Sequence, residues 1–140
     1  MTLHGHPPAR RWPLAALRTV AVLVLLDTLA QAALAGLFVT GDLDLLAWHA
    51  ANAGVLSALT VLQTAAALAV WRAARGPLWP AVASAVLVAL VGVQQGLGEA
   101  RILAGHLPLG MAVFGCAAGL TCWAFARHAF ARPASAGVAG

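Results

Sequence analysis

The chain has 140 residues, of which 62% are hydrophobic and only 9% charged. Soluble domains carry about a quarter charged residues, and so small a globule could not enclose this much apolar surface. The composition therefore excludes a soluble domain and predicts a protein that resides in the lipid bilayer. All eight basic residues are arginines at the ends of apolar runs rather than in one patch, so we do not expect a nucleic-acid partner.

Four apolar stretches follow one another along the chain, and each is long enough to cross a bilayer core, which takes about 20 residues of helix. They cover residues 14–39, 48–71, 78–97 and 107–129. They predict an all-α membrane protein with a transmembrane domain over 14–129, a cytoplasmic leader over 1–13 and a disordered tail over 130–140. Because the connecting loops are short, the helices should form antiparallel hairpins in an up-down four-helix bundle.

The distribution of arginine predicts the orientation in the membrane. Seven arginines fall on one side of the predicted bundle and only Arg101 falls on the other. Since positive residues gather in cytoplasmic segments, the chain is expected to cross the plasma (inner) membrane with both termini in the cytoplasm. An alternative is that Arg10 and Arg11, with the apolar run behind them, form a cleaved signal peptide. That run continues to Val39, long enough to span, which favours an uncleaved first helix.

The two predicted hairpins are similar in sequence. Gln31 in the first helix is followed by His49 at the start of the second, and Gln95 in the third by His106 at the start of the fourth. Small residues follow each histidine, among them Gly54 and Gly110.

His49 and His106 are the leading candidates for a functional site. In an up-down bundle the second and fourth helices lie diagonally across the core, so both imidazoles would enter it from the same end. Neutral imidazole is a common axial ligand of haem iron, and ionisable groups within membranes usually serve a function. The alternative is that each histidine only anchors a helix end at the interface.

Further residues could support such a cofactor site. Helical spacing places His49, Asn52, Leu56, Thr60 and Gln63 on one face of the second helix. In the fourth helix the corresponding face comprises His106, Gly110, Val113 and Ala117. Gly54, Gly98 and Gly110 could leave room for a porphyrin, although ordinary packing of small residues explains each of them too. Arg101 could pair with a haem propionate, or instead with Glu99 or Asp44.

Asp27 lies in the middle of the first predicted span, with Gln31 one turn away. A carboxylate there is costly unless it is protonated or paired. It could relay protons or couple transport, or it could be a structural acid bonded to Gln31, Gln63 or Gln94. Cys116 and Cys122 are six residues apart, which puts them on different faces of a helix and disfavours a disulfide oxidoreductase.

The hairpin motifs resemble one four-helix half of the haem A synthase family. The resemblance rests on residues 94–98 (Gln-Gln-Gly-Leu-Gly), 105–110 (Gly-His-Leu-Pro-Leu-Gly) and 48–53 (Trp-His-Ala-Ala-Asn-Ala). The pattern is also similar to small bacterial four-helix membrane proteins with paired helix-opening histidines. The resemblance implies a b-type haem held by His49 and His106. Leu46 stands where that family's catalytic helix carries a glutamate, and the chain provides only one of the family's two halves.

The leading function expected from the sequence is therefore haem-based electron transfer or haem handling rather than oxidation of a haem methyl group. A homodimer or a larger membrane redox complex would be the natural setting. Two alternatives stay open: a cofactor-free accessory or scaffold protein, and a small proton-coupled transporter that uses Asp27.

Overall fold

The computed structural model describes residues 12–126, which form a bundle of four helices. The helices are α1 (Trp12–Val39), α2 (Asp44–Ala73), α3 (Trp79–Glu99) and α4 (Leu103–Ala126). All four are long and apolar enough to cross a membrane, so the protein is a multi-pass membrane protein. The predicted tail and most of the predicted leader lie outside the described residues.

Three helices begin earlier than the hydropathy predicts: α1 by two residues, at Trp12 rather than residue 14, and α2 and α4 by four. α2 begins at Asp44 rather than residue 48, and α4 begins at Leu103 rather than residue 107. Hydropathy detects the part of a helix that lies in lipid, whereas backbone hydrogen bonding continues into the interface; an acidic residue such as Asp44 is favourable in a first turn. His49 and His106 consequently lie about one turn inside their helices and do not open them.

The turn after α1 and the turn after α3 have the same backbone hydrogen bonds. After α1, the Gly41 amide donates to Phe38 (3.1 Å) and the Asp42 amide to Leu37 (3.3 Å). After α3, Arg101 donates to Gly98 (3.0 Å) and Ile102 to Leu97 (2.8 Å). Both are Schellman motifs, whose central residue has a positive φ: +120° at Gly41 and +58° at Arg101. This agreement supports the predicted similarity of the two hairpins. We call the end of the bundle that carries these turns the histidine end.

The helices form a closed ring in which each packs against two neighbours. α1 packs against α2 and α4, and α3 packs against α2 and α4, while over residues 12–126 the diagonal pairs make no backbone contact. The predicted diagonal arrangement of α2 and α4 is thus confirmed. The core nearer the histidine end is apolar and comprises Val24, Leu56, Leu87, Val91, Val113, Ala117 and Leu120.

The predicted inward faces are confirmed as well. Leu56, Thr60 and Gln63 of α2 are buried, and so are Val113 and Ala117 of α4. The residues of the same faces nearer the histidine end, which include both histidines, are half-buried. Cys116 and Cys122, in contrast, are free and exposed on the outside of α4.

α1 and α4 pack directly against each other at the end of the bundle opposite the histidine end. There, Thr121 Oγ1 donates to the carbonyl of Ala21 (3.1 Å), and Arg18 Nε donates to the carbonyl of Ala124 (3.0 Å). The Arg18 guanidinium also lies 5.2 Å from the centre of the Phe125 ring. Towards the histidine end a groove lies between the two helices instead.

Candidate functional site

The structure brings His49 and His106 together across the core of the bundle. Their ring centroids are 6.3 Å apart, and the ring planes are inclined by 65°. Both side chains are half-buried. The diagonal placement of α2 and α4 produces this pair, because the two helices run in the same direction and carry a histidine at a similar depth.

A main-chain carbonyl of the preceding helix holds each imidazole. His49 Nδ1 lies 3.2 Å from the carbonyl oxygen of Gln31, and His106 Nδ1 lies 2.7 Å from that of Gln94. A carbonyl can only accept a hydrogen bond, so Nδ1 of each neutral ring carries the proton and Nε2 carries the lone pair. Metal-binding histidines are commonly oriented in this way. In the second hairpin the partner is Gln94, whereas the predicted repeat paired Gln95 with His106.

Two of the predicted glycines leave room for His106 and for the side chain that bonds to it. A Cβ atom on Gly98 would lie 2.9 Å from both Nδ1 and Cε1 of His106, so only glycine allows the ring to rest on α3 at this distance. A Cβ atom on Gly110 would lie 3.3 Å from Nε2 of Gln94. That amide in turn donates to Nε2 of His106, at 3.3 Å.

A groove of about 880 Å³ extends from the histidines to the surface between α1 and α4. Ligand sites typically measure about 300–1,000 Å³. The polar groups that line it include Gln31, His49, Gln94 and His106, and most of the remaining wall is apolar. The apolar wall residues include Leu29, Val39, Leu56, Leu107, Met111, Val113 and Phe114. The site therefore combines two fixed lone pairs with walls suited to an apolar ligand.

Gly54, Gly98 and Arg101, which the sequence placed beside a cofactor, do not line this groove; the His106 ring covers Gly98. Gly54 is exposed, with open space where a Cβ atom would lie. Arg101 is exposed in the turn between α3 and α4. Gly54 is five residues beyond His49, which rotates it away from the inward face of α2.

Most of the wall on the α1 side of the groove was not predicted; of its small residues the sequence had indicated only Gly36, as one that thins the helix wall. Thr28, Ala32, Gly36 and Thr40 all line the groove. These small residues recur every four positions, and this spacing on one helix face was the available signal.

A cluster of polar side chains with unsatisfied atoms lies one turn deeper than His49, between α1 and α2. The Asn52 side chain lies beside the Asp27 carboxyl. Asp27 Oδ2, Gln31 Oε1 and Asn52 Nδ2 are nevertheless buried without a hydrogen-bond partner among the described residues.

Gln63 and Gln94, predicted as possible partners of Asp27, bond elsewhere. Gln63 is only 1% exposed and donates to Ser84 Oγ at 3.3 Å. Gln94 bonds to His106. Its neighbour Gln95 turns towards α2, where its amide donates to the carbonyl of Ala53 (2.7 Å) and to Ser57 Oγ (2.9 Å).

Within residues 12–126, no group of three or more histidine, cysteine, aspartate or glutamate side chains is placed to hold a metal ion. No family model matches the chain, and no curated protein or solved structure matches it. The chemistry of the site therefore follows from the two imidazoles and the groove beside them.

Proposed function

We propose that the protein binds one b-type haem between His49 and His106 and serves in electron transfer or haem handling within the membrane. The observation that supports this most directly is the 6.3 Å separation of the ring centroids. Bonds from imidazole nitrogen to a metal are about 2 Å long and each ring centre lies about 1 Å behind its nitrogen, so a shared ion would separate the centroids by about 6 Å.

Two imidazole ligands suit a cofactor that brings its own metal ligands better than they suit a bare metal ion. Two imidazoles alone leave a metal ion short of ligands, and the described residues add no third histidine, cysteine or carboxylate. A haem would bring its own iron and the other nitrogen ligands, and it would supply one-electron chemistry between the ferric and ferrous states. His49 and His106 would hold this iron through their imidazole nitrogens, which suits one-electron transfer.

The protein's own residues provide orientation and exclude water. The carbonyls of Gln31 and Gln94 fix the tautomer of each ring and increase the basicity of Nε2. Because Gly98 has no side chain, the His106 ring can pack directly against α3. The apolar walls between α1 and α4 suit the hydrophobic faces of a porphyrin.

The resemblance to one half of haem A synthase agrees with this function but not with that family's chemistry. Leu46 cannot act as the acid expected at its position, so we infer an electron carrier rather than an oxidase of haem. The excess of arginine on one side supports insertion in the plasma (inner) membrane with both termini in the cytoplasm. A homodimer, or assembly into a larger membrane redox complex, would supply the second half that the family's architecture contains.

The test is the absorption spectrum of the protein purified in detergent from haem-replete cells. We expect a sharp Soret band and a reduced α band, and we expect H49A and H106A each to abolish the six-coordinate spectrum. H6A, outside the described residues, is the matched control and should leave the spectrum unchanged. A colourless protein with a normal helical circular dichroism spectrum would refute the proposal and favour a cofactor-free scaffold.

Proton-coupled transport is a second candidate, favoured by the buried Oδ2 of Asp27, which has no hydrogen-bond partner among the described residues. It requires substrate-driven proton movement in proteoliposomes that D27N abolishes. H49A should leave such transport intact, which separates this function from the haem site.

A further inference from the structure

We propose that the side chain of Gln94 caps the metal-binding nitrogen of His106 and that haem displaces it on binding. This inference rests on the proposed haem site and adds a step to it. Gln94 thereby acts as a positioning residue with two opposite effects: its main chain orients the imidazole, and its side chain covers the lone pair.

The direction of the hydrogen bonds supports this assignment. The main-chain carbonyl of Gln94 accepts from His106 Nδ1 at 2.7 Å, which leaves Nε2 as an acceptor. The amide nitrogen of the same Gln94 lies 3.3 Å from that Nε2 and can only donate to it. One residue therefore engages both nitrogens of the ring, and the bond at Nε2 occupies the orbital that an iron would need.

The first hairpin provides an internal comparison, because within residues 12–126 no side chain bonds to Nε2 of its histidine. The carbonyl of Gln31 accepts from His49 Nδ1 at 3.2 Å, as Gln94 does for His106. The Gln31 side chain does not continue to Nε2; its Oε1 is buried without a partner among the described residues. Nε2 of His49 is thus uncapped among the described residues, whereas Nε2 of His106 would have to lose its bond to Gln94 before it could hold a metal.

The cap has room to move away. Gln94 is half-buried and lines the groove, so its amide can swing into the space that leads towards α1. Gly110 faces the amide without a side chain, and a Cβ atom there would lie only 3.3 Å from it. The amide nitrogen lies 3.3 Å from His106 Nε2, at the long end of the hydrogen-bond range, so this bond is no stronger than an ordinary one.

The first measurement is a haem titration of the haem-free protein in detergent. Q94L keeps the bulk of the side chain but removes the donor, and we expect it to bind haem about fivefold more tightly, the effect of one ordinary hydrogen bond. Q95L is the matched control, because Gln95 bonds to Ala53 and Ser57 instead, and it should bind haem like the wild type. Equal affinity of Q94L and Q95L, or weaker binding by Q94L, would overturn the inference.

The second measurement needs no haem. Diethyl pyrocarbonate acylates the free lone pair of neutral imidazole, and mass spectrometry can follow His106 with His49 as a standard in the same molecule. In Q94L we expect acylation of His106 to accelerate about fivefold relative to His49, while Q95L leaves the ratio unchanged.

The two measurements distinguish failure of the cap from failure of the haem site. If the wild type binds haem but Q94L alters neither affinity nor acylation, the cap is overturned and the haem site stands. If no variant takes up haem, the haem site and its displacement step both fail. Faster acylation in Q94L would then still establish the capping bond itself.

Discussion

Gly98→Ala offers the sharpest test of how the site is built. The added Cβ would come within 2.9 Å of Nδ1 and Cε1 of His106, well inside van der Waals contact. The ring is held against α3 by its 2.7 Å bond to the Gln94 carbonyl. To relieve the overlap, the imidazole must move away from α3 and this bond must lengthen or break.

The expected change in the free energy of unfolding of G98A combines two destabilising effects and one stabilising effect. Overpacking of a fitted contact costs about 1–3 kcal/mol, and loss of the hydrogen bond costs about 0.5–1.5 kcal/mol. Replacing glycine by alanine within a helix returns up to about 1 kcal/mol, and less near the end of α3, where Gly98 lies. We therefore expect G98A to lower the free energy of unfolding by about 2 kcal/mol.

Gly96→Ala is the matched control on the same helix. A Cβ atom at Gly96 meets nothing within 4 Å, so this variant should be neutral or slightly more stable than the wild type. Unfolding in mixed detergent micelles, followed by circular dichroism, measures both variants under identical conditions. Nitrogen-15 shifts of the histidine side chains report whether Nδ1 of His106 still donates.

Equal stability of G98A and G96A would refute the steric reasoning. So would an unchanged His106 side-chain signal in G98A, because it would mean that the ring need not move. If G98A also forms the proposed haem complex, its affinity should fall relative to G96A.

Two further predictions concern the turn after α3 and the polar cluster near His49. Arg101 has a φ of +58°, which costs a residue with a side chain about 1 kcal/mol, so R101G should raise the free energy of unfolding by that amount in the same assay. E99G, in the last turn of α3, should instead lower the free energy of unfolding. Equal effects of R101G and E99G would contradict the conclusion that the positive φ of Arg101 is strained. D27N removes an ionisable group whose Oδ2 is buried without a hydrogen-bond partner among the described residues, so it should stabilise the bundle by about 1 kcal/mol; D27A should not, and a destabilised D27N would show that the carboxyl itself is needed.

Hydropathy and loop length were sufficient to predict the bundle. Four apolar runs joined by short connections leave few arrangements other than a ring of antiparallel neighbours, which puts α2 and α4 on a diagonal. The pairing of His49 with His106 followed from that diagonal and from their similar depth. Helix starts were less predictable, because a hydropathy window ends where lipid ends and α2 continues four residues further, to Asp44.

The details of the site depend on helix rotation, which the sequence constrains only weakly here. Gln94 and Gln95 are adjacent and chemically identical, yet about 100° of rotation separates them, and only the first meets His106. The same effect turns Gly54 outwards while Gly98 and Gly110 face inwards. Both imidazoles donate to main-chain carbonyls. Every residue has such a carbonyl, so a pattern of side chains cannot predict which one accepts the bond.

One interface in the ring of helices, the seam between α1 and α4, has no connecting loop; side chains such as Arg18 and Thr121 of one helix bond there to the main chain of the other. During synthesis, a chain that has completed α1 and α2 already carries His49, but the opposite imidazole and one wall of the groove arrive only with the final helix. Truncation before α4 would therefore leave a hairpin with half a binding site. Because no loop joins α1 to α4, the two helices can separate at this seam and widen the groove without stretching any connection.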